Sequence, residues 1–452
     1  MLPSYGVLRG LLQSVIRTKE QQGHDVMGLQ EKLTQLPDSY DAMNGFALQL
    51  SGLPFREDWP YVEPSGLDEI RTESDPSRPH EIGSLTNEEK ASRAETAFLS
   101  SLCGCILGKP IEEYPFASLD DVRKALEQTG EWPLDDYISE KMLDVYGRRN
   151  ISWTETVRGR ISYVAPDDDI TYTIMGMLLL EKHGIAFTQD DIRKLWLDYL
   201  PIQQTWGPER NMLLKAGLES LLPQESNDVS AWPEFLNPGE ELCGALIRAD
   251  AYGYACLGKP ELAAELAWRD ASWTHRRTGI YGTMFVAAAI AAAPVTQDRL
   301  GIFEIALKFV PQRSRFYKIV ADSLEEISRA ADWIDGYYRI HHKYKEYAAC
   351  CVYQEVGTLI NTLRFAESIG DGICKQVSQG NDTDSFGATS GSILGAYFGP
   401  DYLEPRWLEP FGDKIITSMG TFTEGSITRL AKRMAALPSL ISDSANPVDA
   451  RC

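Results

Sequence analysis

Apolar residues recur at three- and four-residue spacing along most of this 452-residue chain. That spacing lines one face of an α-helix, whereas a half-buried strand needs strict alternation. Ala94, Phe98 and Leu102 share one face, and Ile170, Ile174, Met177 and Leu178 share another that runs out at Gly184. The same period returns over 262–270, 281–293, 302–310, 319–330 and 385–398. Alternating segments and two-residue hairpin turns are scarce, so the expected class is all-α, a compact multi-helix bundle. The last stretch carries Gly387, Ala388, Ser390, Gly391, Gly395 and Ala396. Residues that small let helix backbones approach closely.

The first 90 residues differ in character. Segments 7–21 and 27–36 have narrow apolar stripes, and Pro54, Pro60, Pro64, Pro76 and Pro79 then interrupt a charged stretch. Residues 68–85 read as a polar connector. Asn87, Glu88 and Glu89 begin a new helix, with acid at its N-terminus as the helix dipole favours. The expected organisation is an N-terminal helical extension over 1–88 and one large domain over 89–452.

Charge narrows the function. Lys and Arg total 44 against 65 Asp and Glu, a formal net charge of −21. Such a surface repels phosphate backbones and anionic lipid, so neither nucleic acid nor a membrane is an expected partner. Divalent cations are natural ligands for it. The eight cysteines form no CxxC pairs, which fits reduced thiols in a cytoplasmic protein. Residues 1–10 have one positive charge and no long apolar core, so they do not read as a secretion signal.

Two acidic clusters carry the chemistry. One is Asp167-Asp168-Asp169 and the other is Asp382-Thr383-Asp384-Ser385, each directly before an apolar-periodic helix. A single Asp there is an ordinary helix cap. Three in succession repel one another unless a cation neutralises them, and hard cations take carboxylate and hydroxyl oxygens. Two further segments accompany the clusters. In Gly104-Cys105-Ile106-Leu107-Gly108-Lys109-Pro110-Ile111-Glu112, the glycines and proline are expected to end a helix and free a loop that carries Glu112. In Ser272-Trp273-Thr274-His275-Arg276-Arg277, a basic patch interrupts an acidic chain and suits contact with a phosphate. His341 and His342 read as surface residues.

In this order, the segments resemble the ADP-ribosylglycohydrolase family over roughly residues 90–400. Its early Gly-Asp-x-x-Gly-x-x-x-Glu element is matched by Gly104 to Glu112, its Thr-Asp-Asp-Thr element by Asp167-Asp168-Asp169-Ile170, and its late Gly-Gly-Asp-Thr-Asp-Thr element by Gly380-Asn381-Asp382-Thr383-Asp384-Ser385. Thr274-His275 resembles the family's Thr-His before its Ala-rich helix. The chain departs from the pattern at Cys105, which stands where the family has Asp. Asp167, Ile170 and Ser385 stand where it has Thr, and Asp167 adds a negative charge.

The resemblance implies an all-α glycosidase with two Mg²⁺ or Mn²⁺ ions in a central cleft. It implies ligands Asp167, Asp168, Asp169, Asp382, Asp384 and Ser385. Cys105, His275, Gly380 and Asn381 would contact an ADP-ribosyl substrate, His275 at the diphosphate. Glu112, Asp168 and Asp384 would act in catalysis, as the ribosyl bond breaks through an oxocarbenium-like state. The alternatives are hydrolysis of a free small N-riboside or nucleotide conjugate, and a non-catalytic ADP-ribose-binding relative. Retention of five Asp in the two clusters argues against the latter.

Overall fold

The computed structural model describes residues 3–112, 114–150, 152–220, 229–347 and 350–444. It is 65% helical. Among the described residues the only β-type pairing is three isolated bridges. The expected periodic segments are helices with readable ends. Thr86 caps the Asn87–Gly108 helix in a reciprocal capping box with Glu89. Asp167 caps the Asp168–His183 helix, which stops at Gly184.

The centre of the fold is the pair formed by the Asn87–Gly108 and Thr383–Phe398 helices. They touch backbone to backbone along a seam of glycines. A Cβ added at Gly104 would overlap the carbonyl of Gly387, and one at Gly387 would overlap the carbonyl of Gly104. One at Gly391 would strike the Ser100 carbonyl, one at Gly108 the Thr383 carbonyl, and one at Gly395 would stand 2.6 Å from Ala97 Cα. This corrects the expectation that Gly104 and Gly108 loosen a loop. Both belong to the helix. Their lack of a side chain serves contact, and the chain leaves the helix through the short 3₁₀ turn Lys109–Ile111.

Around this pair lie the Ile427–Ser444, Ile369–Ser378 and Asp168–His183 helices. The Ala-rich Thr278–Ala292 helix is buried throughout. By length and composition the window Thr278–Val295 is apolar enough to cross a membrane, but 89% of it is buried inside the molecule, as befits a core helix.

Residues before 88 build their own small apolar cluster from Leu12, Val15, Ile16, Leu29, Leu33, Met43, Phe46, Ala47 and Leu50. Sequence reading found the first two helices, here Tyr5–Gln21 and Leu29–Gln35, but not Tyr40–Ser51. It also took the short Leu67–Glu73 helix for connector. Phe235 and Leu236 pack against this apolar cluster, and polar contacts add to them: Gln22 Nε2 donates to Glu240 Oε1 (2.7 Å), Arg315 donates to the Gln21 carbonyl (2.7 Å), and Trp268 Nε1 to the Ser65 carbonyl (2.9 Å).

The glycine seam yields a prediction. Gly391→Ala forces a methyl into a backbone contact that cannot yield without separating the helices. Overpacking of this kind costs about 1–3 kcal/mol, occasionally more. Denaturant unfolding of the variant should show that loss, while Gly45→Ala, where a Cβ meets nothing within 4 Å, should leave stability unchanged or slightly raised.

Candidate active site

The close helix pair sets the end of one helix beside the start of another. Thr383 Oγ1 donates to the Gly108 carbonyl at 2.9 Å, which locks the two termini together. Gly380 and Asn381 turn the chain into the second helix with left-handed φ of 78° and 70°. A side chain at Gly380 would collide with the backbone of Phe116 and Ser118, and Asn381 N donates to the Phe116 carbonyl at 3.1 Å. The Asp168–His183 helix points its N-terminus at the same place. There Ser385 Oγ donates to Asp169 Oδ2 at 3.4 Å, joining the two acidic clusters. Helix N-termini carry partial positive charge, so two of them offer a field in which carboxylates gather.

At the meeting point is a residue that sequence reading did not single out. The Lys109 ammonium lies 2.6 Å from Asp384 Oδ2, 2.8 Å from Asp167 Oδ2 and 2.9 Å from Glu112 Oε2. Its side chain is only 14% exposed. The signal was present as a lysine three residues before Glu112, directly after the last seam glycine. Nothing in its spacing distinguished it from a surface cation.

Burial and mutual repulsion set the protonation of these groups. Burial, then the charge of Asp384, pushes Glu112 up to about 10. Burial, then Asp167, pushes Asp168 up to about 7 and Asp169 well above the carboxylate range. Burial and Asp384 do the same to Asp382. Asp167 differs: burial disfavours its charge, but the Lys109 ammonium and hydrogen bonding to Asp169 outweigh this and hold it below its ordinary value. Asp167 Oδ1 accepts from Asp169 N at 2.9 Å. The extra charge noted at position 167 therefore has a built-in counterion.

The residues fit a hard cation. Asp169 Oδ1 is buried without a hydrogen-bond partner, a costly state for a carboxylate unless something electropositive faces it. Glu112, Asp382 and Asp384 each present an oxygen within 4.8 Å of the others. Asp168 opens the helix beside them. Cys105, Asp167 and Asp169 form a second such group, although Cys105 has no exposed surface and burial raises its thiol well above the usual range. No described residue of 1–88 belongs to these groups.

Over Glu112 and Asp382 opens a cavity of about 670 Å³, lined also by Tyr114, Lys345, Gln354 and Asn381. His341, read from sequence as a surface residue, lines it too. Cys350 lines it as well, and its thiol and that of Cys243 both donate to Asp382 Oδ2 at 3.3 Å. Neither thiol was singled out in the sequence.

His275 is elsewhere. Its ring has no exposed surface, its Nδ1 is 2.7 Å from Thr274 Oγ1, and burial drives it well below its ordinary pKa, so it stays neutral. It is packed into a buried ion network centred on Arg248, which donates to Asp270 Oδ1 (2.5 Å), Glu209 Oε1 (2.7 Å) and Thr274 Oγ1 (2.8 Å). The structure thus does not bring His275 to a diphosphate. The Thr-His pair is an internal brace, and Arg276 and Arg277 pair with Glu234 (3.0 Å) and Glu241 (3.6 Å).

The ADP-ribosylglycohydrolase family model matches residues 86–441. A solved structure described as an ADP-ribosylglycohydrolase-related protein complex is similar in fold, with a TM-score of 0.51 and 17% identity, over 78% of this chain and 99% of that one. No curated protein matches.

Arg248→Met tests the brace. Removing the cation strands Glu209 and Asp270 in the interior, and breaking a buried pair in this way costs about 3–5 kcal/mol. The stability of the variant should fall by that amount in denaturant unfolding. A loss under about 1 kcal/mol would mean that the network is open to water.

Proposed function

The chain belongs to the ADP-ribosylglycohydrolase family, a family of glycosidases, and from that premise we propose that it hydrolyses the bond joining the ribose C1 of an ADP-ribosyl group to a nitrogen or oxygen of its carrier, with a divalent cation in the acidic cluster. The observation that carries this is the convergence of Glu112, Asp382 and Asp384, whose oxygens lie within 4.8 Å of one another, at the edge of a cavity of about 670 Å³ that Glu112 and Asp382 line. That space is large enough for a nucleotide-sized ligand.

Asp168, Asp169, Asp382, Asp384 and Ser385 are the groups that would hold Mg²⁺ or Mn²⁺, as the family's general metal dependence suggests. When bound, such an ion supplies a more acidic water and a grip on vicinal hydroxyls. The rest falls to the chain's own residues. Glu112 follows a fixed 3₁₀ turn through Pro110 and faces the cavity. Burial and the charge of Asp384 raise its pKa to about 10; beside a bound cation it would return toward neutral, the range in which a carboxyl can give its proton to the leaving nitrogen or oxygen as the C1 bond breaks. Asp384 is anchored by its Lys109 contact and by Ser385 N donating to Oδ1 at 3.0 Å, so it can hold an attacking water in one orientation. Asn381 and Tyr114 border the substrate space, and Lys345 offers it a positive charge for a diphosphate.

Glu112→Gln removes the proton donor and keeps the shape. Release of ADP-ribose from ADP-ribosylated arginine and serine peptides, followed by chromatography, should fall by about 10²–10⁴, as for a lost acid or base. Metal content should not change. Chelation by EDTA should abolish release, and Mn²⁺ or Mg²⁺ should restore it. Undiminished release by the Gln variant would remove Glu112 from the chemistry, and release that survives chelation would remove the cation.

A further inference from the structure

We propose that the Lys109 ammonium occupies one of the two cation places in the acidic cluster, so that the chain binds a single divalent ion. The inference rests on reading that cluster as a metal site.

A lysine normally extends its amine to water and buries only its stem. Lys109 turns inward instead. An ammonium has three N–H donors and no acceptor. Here three carboxyl oxygens from three separate segments surround it: Asp384 at 2.6 Å, Asp167 at 2.8 Å and Glu112 at 2.9 Å. It donates hydrogen bonds to Asp384 Oδ2 and Glu112 Oε2 and pairs by charge with Asp167 Oδ2. Asp167 belongs to the first acidic cluster and Asp384 to the second, so the amine stands at the junction that an ion shared between the clusters would need.

The distances make the two occupants exclusive. Hard cations sit roughly 2.0–2.6 Å from their oxygens. A divalent ion bound to both Asp384 Oδ2 and Asp167 Oδ2 would compete with the Lys109 ammonium for the same two oxygens at nearly the same distance. The cost of expelling the amine would be high, because Lys109 is anchored where the glycine seam ends and its backbone carbonyl accepts a hydrogen bond from Asn150 Nδ2. Asp167 Oδ2 faces the amine at 2.8 Å, and its Oδ1 accepts from the Asp169 N–H at 2.9 Å.

Ligands for one ion remain. Asp169 Oδ1 has no partner. Asp382 lies with Glu112 and Asp384 in a group whose oxygens fall within 4.8 Å, and Ser385 Oγ is 3.4 Å from Asp169 Oδ2. The remaining group that includes Asp167 contains the Cys105 thiol, a soft donor that hard cations do not favour. The amine thus replaces a second ion with a fixed, non-exchangeable charge.

The test is a count. The full-length protein is stripped with EDTA, reloaded with Mn²⁺, freed of excess by gel filtration and measured by elemental analysis and electron paramagnetic resonance. One Mn²⁺ per chain with an uncoupled spectrum is expected. Lys109→Met should take up two, with the exchange-coupled signature of a manganese pair. If that variant fails to fold, Lys109→Met with Asp167→Thr removes both charges together and should likewise bind two. Two ions in the wild type, or one ion in the wild type and in every folded variant, would overturn the inference and leave the metal reading intact. No ion in any of them would overturn the metal reading and this inference with it.

Discussion

Backbone contact between two helices governs the rest of the molecule. Glycines at 104, 108, 387, 391 and 395 let the Asn87–Gly108 and Thr383–Phe398 helices meet without side chains between them. Helices separated by ordinary side chains stand 8–10 Å apart, and at that spacing the hydroxyl of Thr383 would not reach the carbonyl of Gly108. The seam therefore does more than pack a core. It sets the exit of one helix against the entry of the other, so that Lys109, Glu112, Asp382 and Asp384 occupy a few ångströms of space although 270 residues separate the two segments.

What gathers there is electrostatically costly and holds together for stated reasons. The buried carboxylates of Asp167, Asp169, Asp382 and Asp384 repel one another, and burial pushes Asp169 and Asp382 toward the neutral form. Helix N-termini and the Lys109 amine offset part of that cost, and the unpartnered oxygen of Asp169 marks where it is not yet offset. A site with stored repulsion of this kind binds a cation strongly because the cation relieves it. The same field keeps a proton on Glu112. A bound cation would weaken that field and lower the Glu112 pKa toward neutral.

Much of this was legible in the sequence, and the limits were physical. Helices with strong 3.6-residue periodicity and clear caps, such as those opened by Thr86 and Asp167, could be placed from local rules. Both acidic clusters could be found because Asp residues crowded at a helix start need a counterion somewhere. Lys109 could not, because its significance lies in contacts with Asp167 and Asp384 that no local rule reaches. Gly104 and Gly108 were legible as small but not as seam residues, since freedom and close approach leave the same mark in a sequence. His275 misled for a related reason. Its basic neighbours suggested an anion site, but Glu209 and Asp270, remote in sequence, already neutralise Arg248 beside it. The buried pairs decide the role, and they are tertiary.

The central claim is that the two acidic clusters form one cation site beneath the cavity. Anomalous diffraction at the manganese edge from crystals of the Mn²⁺-loaded protein tests it most directly. The account predicts a peak among Asp169, Asp382, Asp384 and Ser385, with the Lys109 amine still beside Asp167. A well-ordered map with no peak between the clusters, or a peak only at surface acids, would contradict it.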